Sequence, residues 1–318
     1  MSNVARTHVG RRVGGLGILS LSAVLLAACS GGSVATSAPS ASAESPSASA
    51  SESASAPASE SASASTDAAQ ELAIEAKDFS FVAPATLPAG ATRIVVNNTG
   101  QEDHQAQVAR LAEGATFEAL TTALQAEDLP TALGMLSLVG GPTGVTPGAT
   151  VATSANLDPG QYVFLCFVES PDGVPHIAKG MIGQLEVTGT ASTEPLPAGE
   201  AELALQDFAF VGVTTLTPGQ HTLTVTNKGP QPHEATLVKL SEGVTVDQLR
   251  QAFTSTEQPS GPPPFTGAGG VAGISANTTV SMDLDVEAGN YAFVCFVPDA
   301  ASGAPHAALG MIGELTVQ

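Results

Sequence analysis

The chain is short of cysteine, basic residues and long apolar runs, and each shortage removes a class of protein. Three cysteines in 318 residues cannot form a disulfide framework. Ten Lys and Arg stand against 30 Asp and Glu, a formal charge of −20. A chain this acidic does not neutralise a phosphate backbone, so nucleic acid is not an expected partner. A membrane-spanning helix needs ~20 apolar residues, and the N-terminal run Leu16 to Ala28 is too short. No P-loop pattern is present. Tyrosine is limited to Tyr162 and Tyr291, and these fall at equivalent places in two copies of one segment.

The N-terminus has Arg6, Arg11 and Arg12, then the apolar run, then Cys29. Residues 1–28 read as a signal peptide. Leu26-Ala27-Ala28-Cys29 looks like a bacterial lipobox, with Cys29 the lipidated first residue of the mature protein. Arg11-Arg12 faintly resembles a twin-arginine signal, but the residues after it fit poorly. Residues 29–68 are almost entirely Ser, Ala, Gly, Glu, Pro and Thr. They cannot bury enough apolar surface to offset ordering entropy and read as a tether with a span of roughly 35 Å. Without the three leader arginines the charge becomes −23. Such a surface is either plainly solvated or steers toward a basic partner protein.

Beyond the tether the sequence repeats at 129–130 residues. His104 and His233 are 129 apart, as are Cys166 and Cys295; His176 and His306, like Met181 and Met311, are 130 apart. Asp78/Asp207, Phe79/Phe208, Phe81/Phe210, Asn98/Asn227, Gly100/Gly229, Gly114/Gly243, Leu120/Leu249 and the Gly140-Gly141/Gly269-Gly270 pair keep the 129 register. The repeats give domains at 69–189 and 200–318, with 190–199 as linker. The glycine pair reads as a tight loop near a site. His221 aligns with Thr92 and reads as a surface residue.

The eight repeated Cys, His and Met residues have a common chemistry. A thiolate, two imidazoles and a thioether form a donor set for copper that cycles between Cu(I) and Cu(II). Soft sulfur suits the reduced ion and imidazole suits both. Tyr162, Phe164 and Cys166 share one strand face, as do Tyr291, Phe293 and Cys295. Each cysteine therefore ends a buried aromatic stripe. A buried structural thiol is the bland reading of either cysteine alone, and a Cys166–Cys295 disulfide is the other alternative. The order His…Cys…His…Met, found twice, weighs against both.

That order resembles the cupredoxin family of blue copper proteins. The resemblance covers residues from about 70 to the end and implies an all-β fold: two tandem Greek-key β-sandwich domains, each with one short helix. It implies one copper per domain, two in all, held by His104, Cys166, His176 and Met181, and by His233, Cys295, His306 and Met311. It also implies that each tyrosine closes a corner by bonding backbone. Departures are the longer loops between Cys and the second His, and Gln105 or Glu234 where many members have Asn.

Strands are expected over 71–76, 93–97, 150–156, 162–167 and 183–187, with counterparts in the second copy. One helix is expected in each copy, at 116–124 and 246–253. The function this implies is single-electron transfer by a lipid-anchored protein on the outer face of the bacterial cytoplasmic membrane. Copper storage or delivery, and a metal-free binding module, are the alternatives. Outside the leader five histidines are present and four are taken by the two sites. That count argues against a multicopper oxidase, so the chain reads as no enzyme. The sequence fixes neither the oligomeric state nor the redox partner.

Overall fold

The computed structural model describes residues 70–126, 128–192, 195–255 and 263–318. The leader, Cys29 and the tether lie outside the described residues. The first repeat contains β1 (Gln70–Lys77), β2 (Ser80–Val82), β3 (Thr86–Pro88), β4 (Gly90–Asn98), β5 (Gln107–Leu111), α1 (Phe117–Gln125), α2 (Leu129–Gly134), β6 (Leu136–Gly140), β7 (Thr150–Leu157), β8 (Gly160–Leu165) and β9 (Ile182–Thr188). The second contains β10 (Ala201–Gln206), β11 (Ala209–Gly212), β12 (Thr215–Leu216), β13 (Gly219–Asn227), β14 (His233–Leu240), α3 (Val246–Thr254), β15 (Phe265–Ile274), β16 (Thr279–Val286), β17 (Gly289–Val294) and β18 (Ile312–Val317).

Each repeat is a two-layer β-sandwich of Greek-key type. In the first, one sheet runs β2-β1-β4-β7 and the other β3-β9-β8-β5-β6; the second repeats the plan. β8 shows why the layers close. Tyr162, Phe164 and Cys166 point into the main core between the sheets, while Val163 and Leu165 pack under the helices. With both faces apolar, this strand cannot reach a solvated edge. β17 does the same with Tyr291, Phe293 and Cys295 inward and Ala292 and Val294 toward α3. Tyr162 donates its hydroxyl to Asp158 O at 2.8 Å and Tyr291 to Glu287 O at 3.0 Å, closing the expected corners.

The helices start at Thr116 and Thr245, whose hydroxyls accept from Ala119 N and Gln248 N. The first repeat adds α2, capped by Asp128. β2, β3, β5 and β6 lie outside the strands expected from sequence. β5 is buried on both faces at its start, so it shows no alternation, and β6 spans only 5 residues.

The sheets of the two repeats run into one another, β7 pairing with β16 and β6 with β15. The seam obeys a local two-fold. Thr153 opposes Met282 and Pro142 opposes Val271, each pair made of equivalent residues. Thr143 N donates to Gly270 O at 3.3 Å, and its counterpart Ala272 N donates to Gly141 O at 2.8 Å. The glycine pairs therefore serve the seam as much as a loop. A Cβ on Gly141 would lie 2.1 Å from Ala106 O, and one on Gly270 2.3 Å from Ala235 O. His221 is also better held than expected, paired with Glu200 and Thr217 O.

Candidate metal centre

Backbone bonds and one buried asparagine side chain deliver the site residues to one end of each sandwich. His104 is fixed by a two-way bridge with Val145, both N–H···O contacts at 3.0 Å. Buried Asn98 holds the loop before it, donating to Glu102 O at 2.8 Å and Val145 O at 2.7 Å while accepting from Gly100 N at 2.9 Å. Asn227 makes the equivalent three bonds to Gln231 O, Ile274 O and Gly229 N. Cys166 and Cys295 directly follow β8 and β17, and their N–H groups face Met181 O and Met311 O. Met181 N donates to His176 O at 3.0 Å and Met311 N to His306 O at 2.9 Å, so the last two residues of each set share one tight turn.

The side chains converge. His104 Nδ1 and His176 Nδ1 are 3.1 Å apart, and Cys166 Sγ lies 3.4 Å from His176 Nδ1 and 3.9 Å from His104 Nδ1. In the second repeat the same edges measure 3.0, 3.4 and 3.9 Å. All six residues are fully buried, as are Met181 and Met311. A point equidistant from the three donor atoms lies about 2 Å from each, within reach of metal–imidazole and metal–thiolate bonds. Cys166 and Cys295 are free thiols, each enclosed in its own repeat, which removes the disulfide alternative.

The surroundings keep both thiols neutral unless a cation sits beside them. Burial pushes the Cys166 thiol up to about 11. Burial, with Glu234 nearby, pushes the Cys295 thiol up as well. A thiolate in either place needs a positive charge beside it. Backbone N–H groups of Gln105 and Glu234 point at the two sulfurs from 3.5 Å. Burial lowers His104, His233 and His306, favouring the neutral imidazole that binds metal.

Outside the donors, carboxylates orient the rings. His104 Nε2 faces Asp78 Oδ1 at 3.3 Å and His233 Nε2 faces Asp207 Oδ1 at 2.9 Å. This places the ring proton on Nε2 and leaves Nδ1 as a lone-pair donor directed inward. His176 Nε2 faces Glu102 Oε2 at 2.8 Å. His306 Nε2 is buried with no hydrogen-bond partner among the described residues. Phe79 and Phe208 stand edge-on to His176 and His306. Both occupy left-handed backbone, φ 65° and 63°, at a cost of about 1–2 kcal/mol for a non-glycine residue. Asp78, Phe79, Asn98 and Gly100 were visible as repeat matches without a role. Glu102 gave no such signal, because its counterpart is Gln231.

No family model and no curated protein matches the sequence. Among solved structures, the dithionite-reduced auracyanin of Roseiflexus castenholzii is 21% identical, covers 37% of this chain and 94% of its own, and has a TM-score of 0.27. The copper nitrite reductase of Nitrosomonas europaea is 15% identical, with 79% of this chain and 94% of that one covered, TM-score 0.22. The blue copper oxidase of Nitrosomonas europaea is 12% identical, with 79% and 86% covered, TM-score 0.23. Solved structures that span both repeats thus include enzymes, and the expectation that this chain is no enzyme does not stand. It rested on a count of histidines, and that count bears on a multicopper oxidase centre alone, not on enzymatic chemistry in general. The sandwich of each repeat is cupredoxin-like, and the buried His₂Cys triangle with its adjacent Met is the donor set of a type 1 copper site, one in each repeat.

Proposed function

We propose that this protein is a two-copper electron carrier, with 69–189 and 200–318 as its copper-carrying domains. In this reading His104, Cys166 and His176 hold one ion, His233, Cys295 and His306 the other, and Met181 and Met311 are weak axial donors. Copper bound there supplies a one-electron couple. The protein's part is to keep both triangles dry and unchanged in shape, so that little moves when an electron arrives or leaves. The observation that supports this most is the agreement of the two triangles, whose edges differ by 0.1 Å at most.

Reconstituted protein should contain two copper ions per chain and absorb strongly in the visible through thiolate-to-copper charge transfer. Cys166→Ala and Cys295→Ala should each remove one ion and part of that band. A copper content near zero with all ligands intact would end the proposal.

The reading extends to the cell surface. Cys29 is the lipid anchor, 29–68 the tether, and the acidic domains lie outside the cytoplasmic membrane, where they meet a basic redox partner. Diacylglycerol plus an N-acyl chain exceeds the two signals stable attachment needs. Cys29→Ala should release the protein to the medium or block its processing; normal processing with retention on the membrane counts against the anchor.

A further inference from the structure

The repeat matches Asp78/Asp207 and Phe79/Phe208 have no part in holding copper, yet they meet both histidines of each site. β1 and β2 are joined by two residues alone, since Lys77 pairs with Ser80. Those two residues are Asp78 and Phe79. The carboxylate of the first faces His104 Nε2 at 3.3 Å; the ring of the second meets His176 edge-on, centroids 5.2 Å apart and planes at 81°. In the second repeat Gln206 pairs with Ala209, leaving Asp207 and Phe208 as the turn. Asp207 faces His233 Nε2 at 2.9 Å, and Phe208 meets His306 at 5.2 Å and 77°.

Two features separate this from ordinary turn chemistry. The second turn residue has φ 65° in one repeat and 63° in the other. Glycine or asparagine takes that conformation with little strain, whereas an aromatic residue does not. Persisting strain of this kind points to a local task. The approach to the Asp–His contact is also kept clear. A Cβ on Gly100 would lie 2.3 Å from Asp78 Oδ1 and 2.8 Å from His104 Nε2. One on Gly229 would lie 2.6 Å from Asp207 Oδ1 and 2.8 Å from His233 Nε2. Any side chain at either glycine would push the carboxylate off the ring.

The geometry points to the Asp-Phe turn as a single clamp on both imidazoles: the carboxylate sets the tautomer and tilt of the first ring, and the strained phenyl blocks rotation of the second. One rigid two-residue element thereby fixes the spacing of the two Nδ1 atoms, whether or not a metal lies between them. Asp and Phe are positioning residues here, acting through the histidines. The inference rests on the copper reading for its consequence but not for its geometry.

The test uses the full chain with Asp207→Asn and Phe208→Gly, leaving the first repeat as an internal control. In metal-free protein, ¹⁵N shifts of the His233 ring should report a single Nε2–H tautomer, and Asp207→Asn should turn this into a mixture. Phe208→Gly should alter the His306 ring resonances while leaving the thermal midpoint close to that of the parent, because relief of backbone strain offsets the lost ring contact. With copper added, both variants should shift the reduction potential and charge-transfer band of the second site alone. Unchanged ring shifts in the metal-free variants would overturn the clamp. If the parent chain binds no copper, the functional reading falls while the ring measurements still decide the clamp.

Discussion

The two repeats hold nearly superimposable donor triangles inside different outer surroundings. In the first, Glu102 reaches His176 Nε2 at 2.8 Å. In the second the equivalent residue is Gln231, and it is engaged elsewhere, donating to Asp299 Oδ1 at 3.0 Å and accepting from Ala300 N at 2.9 Å. The diversion runs to the Cys-to-His loop, where Asp299 stands in place of Ser170. His306 Nε2 is left buried without a partner among the described residues. Beside the thiol, Gln105 in the first repeat becomes Glu234 in the second, whose carboxyl burial pushes up to about 7. Backbone bridges and the Asp-Phe turn set the positions of the donors, and both repeats keep those. The groups beyond the rings are free to differ, so duplication has kept two similar sites in shape while allowing them to diverge electronically.

The largest expected effect probes what the repeats share. Gly141 and Gly270 are mates across the seam, at φ 109° and 128°, each with a carbonyl where a Cβ would go. Gly141→Ala and Gly270→Ala should each destabilise the chain by about 2–4 kcal/mol, measured by denaturant unfolding, because a β-carbon forces the backbone apart. Equal costs follow from the local two-fold. A large cost in one and none in the other would break the symmetry on which the comparison rests.

A smaller effect sharpens the difference. A carboxylate on the outer nitrogen makes an imidazole a stronger donor and favours Cu(II). While Glu234 is protonated, below about pH 7, the first site should therefore have the lower potential, and a single electron given to the protein should rest on the second. Glu102→Gln should raise the potential of the first site by about 60–120 mV. That is the electrochemical equivalent of the 10–100-fold such partners carry in affinity, at about 59 mV per tenfold for one electron. Voltammetry in a Cys295→Ala background isolates the first site. A potential that does not move would mean that Glu102 orients His176 without changing its donor strength.

Much of this was legible in the sequence, and the part that was not has a physical reason. The order and spacing of His104, Cys166, His176 and Met181 exposed the site because a metal demands particular donor atoms, and the repeat doubled the signal. The β8 stripe was legible, although both faces of the strand are apolar, because Tyr162, Phe164 and Cys166 fall at every second position and recur as Tyr291, Phe293 and Cys295. β5 was missed because burial on both faces erases alternation. Gly140-Gly141 stood out as a pair, but a seam between repeats leaves no local pattern, so its role needed the tertiary structure. Glu102 was unreadable for the opposite reason: with Gln at the matching position, the repeat itself concealed the contact.

The smallest effect concerns the loop that diverts Gln231. Asp299 is held well below the usual carboxylate range, to about 2, first by the Ser302 hydroxyl, then by the Gln231 amide and the Ser302 N–H. Its first-repeat equivalent is Ser170, which has no charge to titrate. A carboxylic acid with a depressed folded-state pKa binds fewer protons in the folded than in the unfolded chain. Its stabilising contribution is full above the unfolded value of ~3.9 and is lost as pH falls through about 2. Asp299→Asn should therefore be less stable than the parent at pH 6, and the gap should close progressively between about pH 4 and pH 2. Urea midpoints of the two metal-free proteins across that range give the answer. A gap that stays constant would mean that Asp299 stabilises the loop through neutral hydrogen bonds, and that its charge has no part in drawing Gln231 away from His306.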